Sequence, residues 1–274
     1  MTEDFPKEVF AERKWAVPTF KVASFAAKTT PYVTIIPVLN EGKRIQGQLR
    51  RMSDLGLTGM TDTVIVDGGS TDGSLDHDYL RSVGARALLT KTGPGKLSAQ
   101  LRCGYAWALA ENYKGIVTID GNGKDGVETI PDFLRALDEG FGYVQASRFI
   151  RGGRSENTPI SRLIAIRLFH APVLSLAAGH FFTDTTQGYR AYSAAYLMDP
   201  RTQPFRDVFM RYELLAYLTV RASQLGYPVK ELPTSRIYPS DGHVPTKITG
   251  LGPLLNLVAV VLRTSFRAYH PRSS

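Results

Sequence analysis

From residue 32 onward the chain alternates short apolar runs with longer amphipathic ones, and this alternation restricts the fold more than any other feature. The runs YVTIIPV (32–38), DTVIVD (62–67), ARALLT (85–90), GIVTID (115–120) and GYVQASRF (142–149) are short and largely apolar. Strands of that composition are covered on both faces. Between them, residues 41–54, 76–83, 96–112 and 128–138 carry helical periodicity. Right-handed helical crossovers join such strands into a Rossmann-like α/β unit, a mainly parallel sheet flanked by helices. Its ligands sit where loops leave the C-terminal ends of the strands.

Polar residues collect at those ends. Asn40 and Glu41 follow the first run, Asp67 closes the second and Asp120 closes the fourth. The stretch IVTIDGNGKDG (116–126) drives Asp120 out of an apolar strand into a loop dense in glycine and charge. A plain turn needs no more than one Asn-Gly. Acids at several strand ends of one sheet share an edge, so they are read together as a cleft.

Beyond residue 150 the text changes. Residues 151–158 are polar and turn-rich, 160–182 are long and apolar with Pro172 inside, and 230–248 are extended and proline-rich. In 251–272 Leu254, Leu255, Val258, Val261, Leu262 and Tyr269 share one helical face, with Asn256, Arg263 and Arg267 opposite. As a helix, the apolar part of this segment reaches roughly 18 Å, short of a hydrocarbon core of about 30 Å. It is expected to lie in a membrane interface or to pack on its own domain.

The formal net charge of +8 favours anionic partners. With no Lys/Arg run and no zinc-finger spacing, nucleic acid is not among those expected. A single cysteine, Cys103, excludes an internal disulfide and a cysteine zinc site, and suits a reducing compartment. Residues 1–30 lack the apolar segment of a signal peptide. The five histidines show no metal spacing, and neither Gly-x-Ser-x-Gly nor a P-loop is present.

Four phrases, IIPVLNEGKRI, VIVDGGSTDGS, IVTIDGNGKDGVETIP and QASRF, stand in one order and spacing. Together they resemble the family-2 glycosyltransferases of GT-A fold, in particular the dolichyl- and polyprenyl-phosphate sugar synthases. The resemblance covers residues 31–250. It implies a nucleotide-binding half (31–150) and an acceptor-binding half (151–250), preceded by an extension (1–30) and followed by an amphipathic membrane-interface helix (251–274).

The resemblance also assigns roles. Asp120 and Asn122 match the Asp-x-Asp that holds Mg²⁺ or Mn²⁺. Asn122 brings an oxygen but no charge, and Asp125 stands nearby without occupying the matching place. Pro37, Asn40, Glu41, Asp67, Gly68 and Lys96 fall on the nucleotide side, where Gly68 replaces a second acid. Arg148, Arg162, Gln187 and Arg190 fall on the acceptor side. Arg236 and Lys247 match a basic pair that closes over the diphosphate, giving charge-assisted contacts to the leaving group.

The implied reaction moves a sugar, with inversion, from a nucleotide-diphosphate sugar (UDP favoured over GDP) to polyprenyl phosphate at the cytoplasmic membrane face. Two alternatives stay open. For a hydroxyl acceptor Glu213 would serve as base. A non-catalytic nucleotide-sugar-binding protein would account for Asn122 and Gly68 standing where acids are usual.

Overall fold

The structure, a computed structural model, describes residues 2–6, 8–239 and 251–271, with backbone alone for 251–254. Its strands are β1 (Thr2–Asp4), β2 (Phe20–Ser24), β3 (Tyr32–Val38), β4 (Asp62–Asp67), β5 (Ala85–Lys91), β6 (Gly115–Thr118), β7 (Tyr143–Ser147), β8 (Arg154–Glu156), β9 (Arg190–Ser193), β10 (Val229–Pro233) and β11 (Ser235–Ile237). The helices are α1 (Glu8–Ala11), α2 (Lys43–Asp54), α3 (His77–Ser82), α4 (Leu97–Ala110), α5 (Ile130–Asp138), α6 (Ile160–Ala165), α7 (Ala171–Ala178), α8 (Ala194–Met198), α9 (Glu213–Gln224) and α10 (Leu251–Ser265).

Nine strands form one sheet in the order β1-β2-β5-β4-β3-β6-β9-β7-β10, and β8 pairs with β11 apart from it. Neighbours β5-β4-β3-β6 are parallel, as are β7 and β10. Strands β2 and β9 run against their neighbours, so the sheet is mainly parallel, as the alternation predicts. Every residue of β3 and β4 is buried, which follows from their position between helical layers. On one side, α2 buries Ile45, Leu49 and Met52, one stripe at helical spacing. On the other, α4 is buried nearly all round, and Gly104 brings it close to Val66 and Ile35.

Three antiparallel strands, β1, β2 and β9, escape the sequence reading. Strand β2 extends the sheet past β5, so the N-terminal extension is part of the sheet edge. Phe5 stacks on Phe10 and Phe20, and Trp15 stacks on Phe205. Strand β9 inserts between β6 and β7. Its register with β6 pairs Thr118 with Arg190, so two residues further on Gly188 lies opposite Asp120. In the β3–β6 ladder Ile35 pairs with Thr118, which sets Asp120 level with Pro37. Val38 pairs with Asp67 in the next ladder. The acids of the sequence thus reach one edge of the sheet.

The predicted C-terminal helix is present, and its faces are shared between two uses. Val261 and Thr264 of the helix and Tyr269 just beyond it are buried, and the helix lies against α7 and α9. Leu255, Leu262 and Phe266 remain exposed.

Candidate active site

The loops after β3 and β4 hold each other. Asn40, at φ 50°, donates its backbone N–H to Ser70 Oγ (3.0 Å), and its side-chain oxygen accepts from the Thr71 N–H (2.8 Å). Asp72 accepts from the Gly42 N–H (2.8 Å), and Asp67 accepts from the Ser70 N–H (2.8 Å). Gln100, from α4, donates to the carbonyls of Val38 and Val66 and so clamps the ends of β3 and β4. Gly68 lies under that clamp, its N–H donating to the Val38 carbonyl (2.8 Å). Glu41 is engaged by Arg44 at 2.8 Å, on the first turn of α2. Lys96 stands exposed at the start of α4.

Asp120 is the carboxylate that faces cations. Its Oδ2 lies 3.4 Å from Arg236, while Arg236 also forms a two-point pair with Asp125 at 2.7 and 2.8 Å. Burial pushes the Asp125 carboxyl up to about 6 against the pull of Arg236. Burial works against the Arg236 charge as well, but Asp125 and Asp120 outweigh it and hold that guanidinium above its ordinary value. Tyr238 caps the group: its hydroxyl accepts from Arg162 Nη1 (3.0 Å) and Arg236 Nε (3.4 Å). Lys124, missed by the sequence reading, is buried beneath the same ring, 5.0 Å from its centroid. Burial lowers the affinity of Lys124 for its proton, and Arg236 adds to that.

The position of Asp120 depends on one glycine. A Cβ at residue 188 would overlap Asp120 Oδ1, so glycine there leaves the carboxylate its place. Gly188 has no left-handed φ, so alanine is compatible with its backbone. Gly188→Ala is therefore expected to keep its melting temperature yet lose activity about a hundredfold, because the carboxylate must turn aside. Comparing kcat/KM with a thermal melt checks both halves.

Arg148, Gln187 and Arg190 are buried in a polar network around the 183–190 segment. Arg148 is paired with the buried Asp184 at 2.7 Å and donates to Thr186 Oγ1 (3.0 Å). Gln187 donates to the same carboxylate (2.9 Å). Arg190 is buried and donates to the carbonyls of Thr185, Gln187 and Leu215. Through these bonds the two guanidiniums hold the 183–190 segment against β6 and β7, while Arg148 Nη1 is buried without a hydrogen-bond partner. Glu213 accepts from the Arg211 N–H (2.7 Å) at the head of α9, where Leu214 N–H meets Ser98 Oγ of α4. Lys247 lies outside the described residues.

His170 belongs to this framework, its Nδ1 2.7 Å from Thr185 Oγ1. Burial, helped by Arg190, lowers it to about 4, against the opposing pull of Asp184. The unfolded chain binds the proton at higher pH, so this contribution is complete above about pH 6.5 and is lost as pH falls toward 4. The expected loss is on the order of 2–3 kcal/mol, and His170→Asn should flatten that limb of a stability-against-pH curve.

No protein-family profile matches the chain. It is 27% identical over 214 residues to polyprenol monophosphomannose synthase of Mycolicibacterium smegmatis, covering 73% of this chain and 75% of that protein. Glycosyltransferase AglJ of Haloferax volcanii is 26% identical over 167 residues, 60% of this chain and 51% of its own. Among solved structures, glucosyl-3-phosphoglycerate synthase from Mycobacterium tuberculosis in complex with Mn²⁺, UDP-glucose and phosphoglyceric acid superposes with a TM-score of 0.58. That match has 20% identity and covers 88% of this chain and 81% of that one. With acids and cations gathered at the strand ends of such a sheet, the chain is a glycosyltransferase of GT-A fold that resembles the polyprenyl-phosphate sugar synthases.

Proposed function

We propose that the chain moves a sugar from a nucleotide-diphosphate sugar, UDP preferred to GDP, onto polyprenyl phosphate at the cytoplasmic face of a membrane, with inversion. The observation that carries this reading is the convergence of Arg162 and Arg236 on the Tyr238 ring, with Arg236 3.4 Å from Asp120. A diphosphate leaves with added negative charge, and fixed donors aimed at that charge stabilise its departure. An acceptor phosphate is already an anion and needs no general base, which agrees with Glu213 being held by the Arg211 backbone. Direct attack from the far side of the sugar inverts the anomeric centre.

Asp120 and Asn122 offer hard oxygen donors, and the Asp120 side chain is 24% exposed. That set fits Mg²⁺ or Mn²⁺ bound through one carboxylate and completed by substrate phosphate oxygens. Among the described residues no group of three acidic, histidine or cysteine side chains gathers for a metal. When bound, the ion neutralises charge on the diphosphate as a Lewis acid. Arg236 does related work from the protein side, held in place by Asp125.

The membrane side of the reading has two helices behind it. From α6 through a π-turn (Ile166–His170) to α7, residues 160, 164, 168, 172 and 176 recur every fourth position. In an α-helix such a row drifts sideways, and the wider π-turn offsets part of that drift. Leu168 is 76% exposed and Leu176 84%, with Ile160 and Ile164 also exposed. Nineteen residues, Ile160–Ala178, are long and apolar enough to cross a membrane, yet Ile166, Leu174 and Ala178 pack on the protein. Helix α10, alongside α7, adds Leu255, Leu262 and Phe266. Residues 157–183 and 242–274 contain no acid, while Arg162, Arg167, Arg263 and Arg267 stand among them. Leucines below and arginines on headgroups suit an anionic bilayer surface.

The test supplies polyprenyl phosphate in anionic vesicles with labelled UDP- or GDP-sugars, and a soluble glycan hydroxyl in parallel. Label on the lipid phosphate is expected. Joint Leu168→Glu and Leu176→Glu substitution should cut vesicle binding tenfold or more, because charged groups enter the interface poorly, while nucleotide binding stays unchanged. Label on the hydroxyl acceptor alone overturns the reading.

A further inference from the structure

From Thr183 to Gly188 the chain forms neither helix nor strand, so its backbone groups must find partners elsewhere. Arg190 takes two of the later carbonyls, those of Thr185 (2.9 Å) and Gln187 (2.7 Å). The first two N–H groups go to a single carboxylate, that of Glu231 on the edge strand β10. Thr183 N–H donates to its Oε1 at 2.9 Å and Asp184 N–H to the same oxygen at 3.1 Å. The Thr183 hydroxyl adds a bond to Oε2 (2.9 Å). Bonds to an ionised carboxylate are the stronger kind, so this end of the segment is firmly held.

What is held there matters at the other end. Asp184 passes the order on, accepting from Thr186 N–H (3.2 Å) and Gln187 Nε2 (2.9 Å). Gly188 follows, packed so tightly on Asp120 that a Cβ would overlap the carboxylate. A clearance that small transmits displacement. If the segment shifts toward β6, Asp120 must turn; if it shifts away, Asp120 loses its backing, and small misplacements of a reacting geometry are costly. Glu231 lies in none of the four phrases that carry the sequence resemblance.

We infer that Glu231 is a positioning residue for the transfer: by holding Thr183 and Asp184 it fixes where Gly188 meets Asp120, and so where the Asp120 carboxylate stands. This rests on the reading of Asp120 as the acid at the donor diphosphate. Other bonds dock the same segment without Glu231. Ser175 Oγ accepts from Phe182 N–H (2.9 Å) and donates to its carbonyl (3.2 Å), and His170 meets Thr185 Oγ1 at 2.7 Å. Removing the Glu231 charge therefore loosens the segment and leaves it in place.

The experiment is a double-mutant cycle in the full chain, Glu231→Gln against Gly188→Ala, read as kcat and donor KM with labelled UDP- and GDP-sugars and beside a thermal melt. Glu231→Gln keeps length and leaves one acceptor oxygen where there were two. It should lower kcat about tenfold and change donor KM less than about twofold, because the loops after β3 and β4 hold each other without it. Independent effects would multiply with the hundredfold loss of Gly188→Ala to about a thousandfold. The double variant is instead expected to lose about a hundredfold, since an Asp120 already turned aside has no position left to lose. Thr183→Val, which removes only the hydroxyl bond to Glu231, should give about a threefold loss with the same lack of additivity; it decides the matter if Glu231→Gln does not fold. A lower melting temperature with kcat unchanged, a loss confined to KM, or losses that multiply each overturn the inference. A wild type that binds neither UDP nor GDP overturns the donor reading itself.

Discussion

Asp120→Asn is expected to lower turnover about a thousandfold, or roughly 4 kcal/mol at the transition state. The residue ends the run from β6, level with Pro37 and opposite Gly188, and its carboxylate is partly open to solvent. The substitution keeps shape and removes charge. Melting temperature should change little, because Asp125 remains to hold Arg236 at 2.7 Å. Nucleotide affinity measured in Mn²⁺ should fall toward the value measured in EDTA, since the Asp120–Asn122 pair has lost its charged donor. A variant with more than a tenth of wild-type turnover would show that the reaction runs on the fixed cations alone.

Much of the fold is legible in the sequence because burial leaves a local mark. The runs 32–38 and 62–67 become β3 and β4 residue for residue, and Asp76 caps α3 where its helix was expected. Strand β9 left no such mark. RAYS is four residues long and pairs antiparallel through contacts distant in sequence, so its place beside β6 comes from tertiary packing. The apolar 160–182 segment shows another limit. Hydrophobic content does not tell a core helix from one that turns Leu168 and Leu176 outward.

The site divides in the same way. Arg236 meets Asp120, Arg162 meets Arg236 only through the Tyr238 hydroxyl, and Asp67 lies two strands over from Asp120 at the same edge. Arg148 and Arg190 occupy motif positions, but a motif cannot show where a guanidinium points. Theirs point to Asp184 and to backbone carbonyls. Lys124 was passed over for the converse reason. A lysine in a glycine-rich loop reads as solvated, whereas in the fold it is buried, with the Tyr238 ring, more than a hundred residues away, against it.

Arg236 joins stability to chemistry, and its removal should expose both. In Arg236→Met the buried Asp125 loses its two-point partner, and breaking such a pair from one side costs about 3–5 kcal/mol. Burial already pushes Asp125 up to about 6, and without Arg236 it is pushed further. The folded state then holds a proton that the unfolded chain releases near its ordinary value. The sign follows: the defect is small in acid and deepens as pH rises toward neutral. Adding Asp125→Asn removes the stranded charge, so the double variant should recover most of the lost stability across that pH range. Turnover should not recover with it, because nothing has replaced the cation beside Asp120; a loss of two to three powers of ten is expected to persist. Denaturant melts from acid to neutral pH, read beside single-turnover transfer rates, separate the two roles. If the double variant regains turnover together with stability, Arg236 acts only as a support for the loop, and the counter-charge for the diphosphate must come from elsewhere in the site.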